Sequence, residues 1–152
     1  MCGIIGIASN RTILDRDWLT SSRDEMSYRG PDDFGVWWSK ESNVGLAHRR
    51  LSIIDLSKAG HQPMTNKNGD LTIVFNGEIY NYKELRDILI KKGISFFSDS
   101  DTEVILAAYE YWGFDCIDYF RGMFSFAIYD LKKRSIFLAR DRLGEKPLYY
   151  ST

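Results

Sequence analysis

Residues 123–140 read Met-Phe-Ser-Phe-Ala-Ile-Tyr-Asp-Leu-Lys-Lys-Arg-Ser-Ile-Phe-Leu-Ala-Arg, and this stretch decides the architecture. Met123–Asp130 and Ser135–Arg140 are two runs rich in aromatic and β-branched residues around a polar turn at Lys132-Lys133, the pattern of an antiparallel hairpin. Upstream, Ser100-Asp101-Thr102-Glu103 has the serine-to-glutamate spacing of a capping box. The helix it opens repeats Ile105, Ala108, Tyr109 and Trp112 at core spacing. Lys83–Lys92 is a second, amphipathic helix with Leu85, Ile88 and Leu89 on one face and Gly93 closing it. Before that pair, Leu71-Thr72-Ile73-Val74-Phe75 is a β run that Asn76-Gly77 is expected to stop. Strands on both sides of a helical pair make an α+β layered domain.

Further out, Ile4, Ile5 and Ile7 read as a strand at the start of the chain. Asp15–Tyr28 has helical character and ends in the turn residues Arg29-Gly30-Pro31-Asp32-Asp33. Gly35–Trp38 and Gly45–His48 are two short strands around a polar turn, with Arg50–Asp55 extending or following the second. Leu56–Gly69, rich in Gly, Pro, Asn and Lys, is a loop. Pro147–Thr152 reads as another strand, and its position at the end of the chain looks more like a cut than a finished edge.

The 152 residues are 44% apolar and 27% charged with three prolines, which excludes a disordered or collagen-like chain. Twenty basic against twenty-one acidic residues leave a net charge of −1, so no nucleic-acid or membrane partner is expected. Apolar stretches such as Val104–Tyr109 are too short to cross a bilayer, and the first residues lack the basic and apolar regions of an export signal. Cys2 and Cys116 cannot build a disulfide framework, so the cytoplasm is the expected location. With His48 and His61 the only histidines, a multi-histidine metal site is excluded, and no metal ligands are assigned.

Cys2 is the first candidate for chemistry. Removal of Met1 would leave a residue holding a nucleophile and a base together, because an α-amine titrates near about 7.7–8.0. Alone, a thiol is only about 3% thiolate at neutral pH, so a neighbouring amine matters. Taken by itself, a second-position cysteine is better explained by packing in a buried first strand.

The wider pattern carries more. Cys2-Gly3-Ile4-Ile5-Gly6, Tyr28-Arg29-Gly30-Pro31-Asp32, Leu46-Ala47-His48-Arg49-Arg50-Leu51-Ser52-Ile53-Ile54-Asp55 and Gln62-Pro63 occur in order. Phe75-Asn76-Gly77-Glu78-Ile79-Tyr80-Asn81, Ser100–Glu103, Arg121–Ala127, Arg140-Asp141-Arg142-Leu143-Gly144 and Lys146-Pro147-Leu148-Tyr149 follow. Together they resemble the class II glutamine amidotransferase domain of glutamine-hydrolysing asparagine synthetases, over essentially the whole chain.

The resemblance implies an N-terminal-nucleophile hydrolase fold, a four-layer αββα sandwich of two antiparallel sheets between helices, with 1–152 as the glutaminase domain. It implies that Cys2, freed of Met1, attacks the carboxamide of L-glutamine to form a γ-glutamyl thioester, which water then cleaves. It assigns the oxyanion hole to the Asn76 amide and the Gly77 N–H, the α-carboxylate to Arg50, and the α-ammonium to Asp101. Glu78 and the backbone at Ile53 match further substrate contacts. For Asn76-Gly77 the local alternative is a plain turn, for Arg50 a solvated strand-end arginine, and for Asp101 an acid favouring the helix dipole.

Other residues read blandly. Arg29–Asp32 is a loop near the pocket, His48 and His61 are packing or loop residues, Cys116 is a small buried side chain, and Trp37 and Trp38 are core or interface. Tyr149 and Tyr150 are expected to face a partner domain. The resemblance also implies such a partner: an ATP-dependent synthetase domain or subunit that consumes the ammonia, with ATP and magnesium confined to it. Neither its Ser-Gly-Gly-x-Asp-Ser loop nor G-x-x-x-x-G-K-[ST] occurs in this chain, so no cofactor is expected here. The acceptor, aspartate or a related carboxylate, stays open, as does a homodimer. A non-hydrolytic glutamine-binding module is the main alternative, favoured by a retained Met1; a peptide-cleaving relative is a weaker one.

Overall fold

A computed structural model describes residues 1–55 and 57–152. The isoleucine-rich start forms β1 (Gly3–Ala8), followed by α1 (Asp17–Glu25), β2 (Asp33–Trp38) and β3 (Val44–Arg50). β3 is the centre of an antiparallel sheet ordered β1-β3-β2, with Gly3 opposite Arg49 and Asp33 opposite Arg50. α1 is shorter than the helical pattern of Asp15–Tyr28. Met26, Ser27 and Arg29 donate to carbonyls three residues back, so the chain tightens into successive turns before Gly30.

The second sheet, ordered β4-β5-β6-β7, is built from β4 (Met64–Thr65), β5 (Leu71–Ile79), β6 (Gly122–Asp130) and β7 (Ser135–Arg140). β6 and β7 are the expected hairpin, pairing Ser125 with Arg140 and Asp130 with Ser135. The loop read at 56–69 contains β4 and a short 3-10 turn at Lys58–Gly60; Leu56 lies outside the described residues. α2 (Tyr82–Lys91) and α3 (Asp101–Trp112) cover the outer face of this sheet.

Alternation along the strands explains the layers. On β5, Leu71, Ile73 and Phe75 pack with Leu85, Leu89, Val104, Ile105 and Ala108 of the helices. Val74 faces the other way and joins Ala127, Tyr129, Val44 and Leu46 between the two sheets. α1 lies on the far side of the first sheet, with Leu19 fully buried. The order is therefore α1, sheet, sheet, α2 with α3: the expected αββα sandwich.

Four local expectations are corrected. Asn76-Gly77 does not stop β5, because both residues remain paired with β6, opposite Ser125 and Phe124. Glycine is needed at 77 for closeness, since a Cβ there would collide with the Met123 carbonyl. Pro147–Thr152 forms no strand. Asp141 instead gathers the N–H groups of Leu143, Glu145 and Lys146 into a turn, and Tyr149 and Tyr150 stand exposed. Ile88 is 42% exposed rather than part of the α2 core face, which Leu85 and Leu89 supply. The capping box is half formed: the Ser100 hydroxyl accepts from the Glu103 N–H, whereas the Glu103 carboxylate caps the preceding loop at Phe97 and Ser98.

Candidate active site

The pairing of Gly3 with Arg49 brings the residue before β1, Cys2, to the same sheet end as Arg50. The half-buried Cys2 sulfur accepts from the Leu51 N–H at 3.4 Å. Burial pushes the thiol up, while the Leu51 N–H, the chain-terminal ammonium and Arg50 pull against it and Asp101 adds to it. Arg29 Nε donates to the Cys2 carbonyl at 3.0 Å. The rest of the Arg29–Asp32 loop secures the same corner. The Asp32 N–H donates to the Arg50 carbonyl at 3.0 Å, its carboxylate accepts from Ser52 N–H at 2.8 Å, and Gly30 lies against the Arg49–Arg50 backbone where no Cβ would fit.

Opposite this corner runs the open edge of β5. β4 pairs with it only at Thr72 and Ile73, and the antiparallel ladder with β6 turns alternate backbone groups outward. Beyond β4, the outward N–H groups belong to Phe75, Gly77 and Ile79. That of Phe75 donates to Gln62 Oε1 at 2.7 Å and that of Ile79 to Asp101 Oδ2 at 3.0 Å. The N–H of Gly77 lies between these two clamps, where Gly77 lines the cleft shared with Cys2. A backbone donor held on both sides is the preorganised group that a developing oxyanion requires.

All seven residues singled out from the sequence, Cys2, Arg50, Ile53, Asn76, Gly77, Glu78 and Asp101, line this one cleft. Arg50 is 6% exposed and not a solvated strand end. Its guanidinium donates to the carbonyls of Ser57 and Ile54, both at 3.2 Å, and of Asp55, so it shapes the Ile53–Ile54 wall. Two of its five N–H groups remain beyond those bonds. Ile53 is 69% exposed at the rim. Asp101, in the first turn of α3, is 5% exposed. Burial pushes its carboxyl up to about 6 against the N–H groups of Ile79 and Thr102, and the Glu78 charge adds to the rise. A buried carboxylate facing a cleft is poised to take an ammonium.

Sequence reasoning undervalued Arg29, Gln62 and Lys146. Gln62 and Lys146 line the cleft. Lys146 is 7% exposed, donates from Nζ to Met1 Sδ at 3.3 Å, and is set in place by the Asp141 turn. That turn is the physical content of the Arg140–Gly144 motif: the Asp141 carboxylate also accepts from Phe124 N–H at 3.1 Å, tying it to β6. His61 pairs with Asp33 at 2.8 Å, and Cys116 is fully buried in the helix-side core, as their bland readings expected. Among the described residues, no helix is long and apolar enough to cross a membrane.

Comparison with known proteins matches this geometry to a family. The family model described as "Glutamine amidotransferase domain" covers residues 1–152. "Asparagine synthetase [glutamine-hydrolyzing] 3" of Bacillus subtilis is 44% identical over 99% of this chain, which spans 25% of that protein. "Putative asparagine synthetase [glutamine-hydrolyzing] 2" of Methanocaldococcus jannaschii is 42% identical over 99% of this chain and 32% of its own length. The chain thus spans about a quarter to a third of these curated relatives. Among solved structures, the glutamine phosphoribosylpyrophosphate amidotransferase of B. subtilis superposes with a TM-score of 0.71 over 91% of this chain and 37% of that one. At 17% identity that likeness speaks for the fold.

Proposed function

The chain belongs to the glutamine amidotransferase domain family, and from that premise we propose that residues 1–152 are a glutaminase half that hydrolyses L-glutamine and hands its ammonia to an ATP-dependent synthetase partner. The observation that carries the site assignment is the Gly77 N–H, held between two clamped neighbours on the β5 edge and sharing a cleft with Cys2.

The reaction proceeds once Met1 is removed. The new α-amine of Cys2 takes the thiol proton, and the thiolate adds to the side-chain carbonyl carbon of glutamine. The negative charge on that oxygen is received by the Gly77 N–H and the Asn76 amide. The α-ammonium of Cys2 returns its proton to the amide nitrogen, the C–N bond breaks, and ammonia leaves. Water adds to the γ-glutamyl thioester by the same route in reverse, and glutamate departs with the thiol restored. Asp101 holds the α-ammonium of glutamine, Arg50 its α-carboxylate, and Glu78 and the Ile53 backbone complete the grip. This selects a free amino acid over an amide within a peptide.

The steps move protons and one acyl group, so no cofactor is assigned to this half; ATP and magnesium belong to the partner's carboxylate activation. The reducing cytoplasm, where Cys2 stays a thiol, is the fitting compartment. The acceptor is aspartate or a related carboxylate, chosen by the partner.

Intact mass and a glutamine-to-glutamate assay on wild type and Cys2→Ala test this reading. We expect a chain starting at Cys2 that is active without added metal and in the presence of chelator, and an inert variant. A wild type that starts at Cys2 and is as inert as Cys2→Ala overturns it.

A further inference from the structure

Resting on the reading of Asn76 and Gly77 as oxyanion donors, we propose that His48 and Gln62 are positioning residues for hydrolysis: they hold the outward N–H and C=O of Phe75 and thereby fix Asn76–Gly77 beside Cys2.

The register of β4 against β5 pairs Met64 with Ile73, so Gln62 falls opposite Phe75. Pro63 has no N–H to offer the ladder, and β4 begins only at Met64. The outward N–H and C=O of Phe75 would therefore be buried without strand partners, since Phe75 is only 3% exposed. Gln62 Oε1 accepts the N–H at 2.7 Å. His48 reaches across from the other sheet and donates from Nε2 to the carbonyl at 3.0 Å. Two side chains thus replace the missing strand at the residue directly before the proposed oxyanion donors.

Packing alone does not account for this histidine. A carbonyl only accepts, so Nε2 carries the proton and Nδ1 is a bare acceptor without a partner among the described residues. A leucine would fill the fully buried position without leaving an orphan nitrogen. Burial pushes the imidazole down to about 4, so it remains a neutral Nε2–H donor across the working range rather than an acid–base group. Gln62 continues the connection, donating from Nε2 to the Thr102 hydroxyl at 3.2 Å beside Asp101. His48 sits two residues before Arg50 on β3. The Phe75 peptide is thereby tied to both elements that carry the charges proposed to hold glutamine.

The test compares His48→Leu, His48→Gln and Gln62→Met with wild type in glutaminase kinetics, each with its thermal unfolding, Cys2→Ala serving as the blank. We expect His48→Leu and Gln62→Met to lower kcat at least about tenfold with KM for glutamine within about twofold, the signature of a transition-state contact loosened without loss of ground-state binding. His48→Gln, which restores an N–H donor, should regain most of kcat. The histidine nitrogen spectrum of the wild type should report a neutral, Nε2-protonated ring. A folded His48→Leu with wild-type kcat, equal losses in His48→Leu and His48→Gln, or an Nδ1-protonated ring each overturn the inference. If His48→Leu does not fold, Gln62→Met and the ring tautomer still decide it. An active wild type beside unaffected variants refutes only this inference, whereas a wild type inert toward glutamine refutes the underlying function as well.

Discussion

The Ile79 N–H donates to the Asp101 carboxylate at 3.0 Å, fastening the end of β5 to the first turn of α3. The same carboxylate is buried in the cleft and pushed up to about 6, chiefly by loss of water. Its charged form is therefore disfavoured in the folded protein, so the carboxyl costs stability as pH rises from its ordinary value of 3.8 through about 6. That strain is relieved when an ammonium arrives, which is what a substrate-binding acid should show.

Asp101→Asn separates the two roles. The amide oxygen still accepts from Ile79, but no buried charge remains. We expect the variant to be more stable than wild type by about 1–3 kcal/mol near pH 7.5, with the gain fading as pH falls from about 6 to about 4, where wild-type Asp101 is protonated in the folded and then in the unfolded chain. KM for glutamine should rise by at least about tenfold, because the ammonium loses a charged partner. In wild type, KM should climb as pH falls through about 6. A variant less stable than wild type at neutral pH, or one with unchanged KM, would count against the assignment.

Asn76→Ala addresses the other proposed oxyanion donor. Asn76 is 5% exposed and lines the cleft, and its cross-strand partner is Ser125. Removing one such donor typically lowers kcat by about 10²–10³. The expected result is that loss with KM nearly unchanged, read by steady-state kinetics on a variant whose unfolding temperature stays near that of wild type.

How much of this was legible in the sequence follows from where each signal lives. The layers were readable because alternation on β5 and β6 and the 3.6-residue spacing on α3 report directly which faces are apolar. That seven named residues would meet in one cleft was readable from the motifs that carry them. The continuation of β5 through Asn76-Gly77 was not, because the dipeptide's turn propensity is a local preference and the pairing with β6 overrides it. Arg29 and Gln62 were undervalued for a related reason. Their work is done on backbone atoms of Cys2 and Phe75, far away in sequence, and no spacing rule points from a side chain to a distant peptide.

Arg29→Lys tests one of those hidden supports. Arg29 Nε holds the Cys2 carbonyl at 3.0 Å, and this fixes the residue whose sulfur and amine are proposed to react. A lysine keeps the charge but loses the planar donor geometry. We expect kcat to fall by about tenfold or more, since displacement of a reacting group by about 1 Å is costly, with KM changed little. Wild-type kcat would show that Leu51 alone suffices to seat the cysteine.

The two thiols offer a last discrimination. Burial pushes Cys116 up to about 12, with Asp115 and Asp118 adding to it, and the side chain is fully buried. Burial also raises Cys2, but the Leu51 N–H, the chain-terminal ammonium and Arg50 counteract it, and the sulfur lines the cleft. A glutamine analogue bearing an electrophile, such as 6-diazo-5-oxo-norleucine, should therefore label Cys2 and leave Cys116 untouched in the folded protein. Because only the thiolate attacks, labelling should quicken as pH rises from about 6 to about 8. Removal of Met1 brings the terminal ammonium onto Cys2 itself, so a chain without Met1 should label faster than one retaining it, and excess glutamine should slow both. Peptide mass mapping reads each outcome, and modification of Cys116 in the native state would show that the wrong sulfur has been assigned to the chemistry.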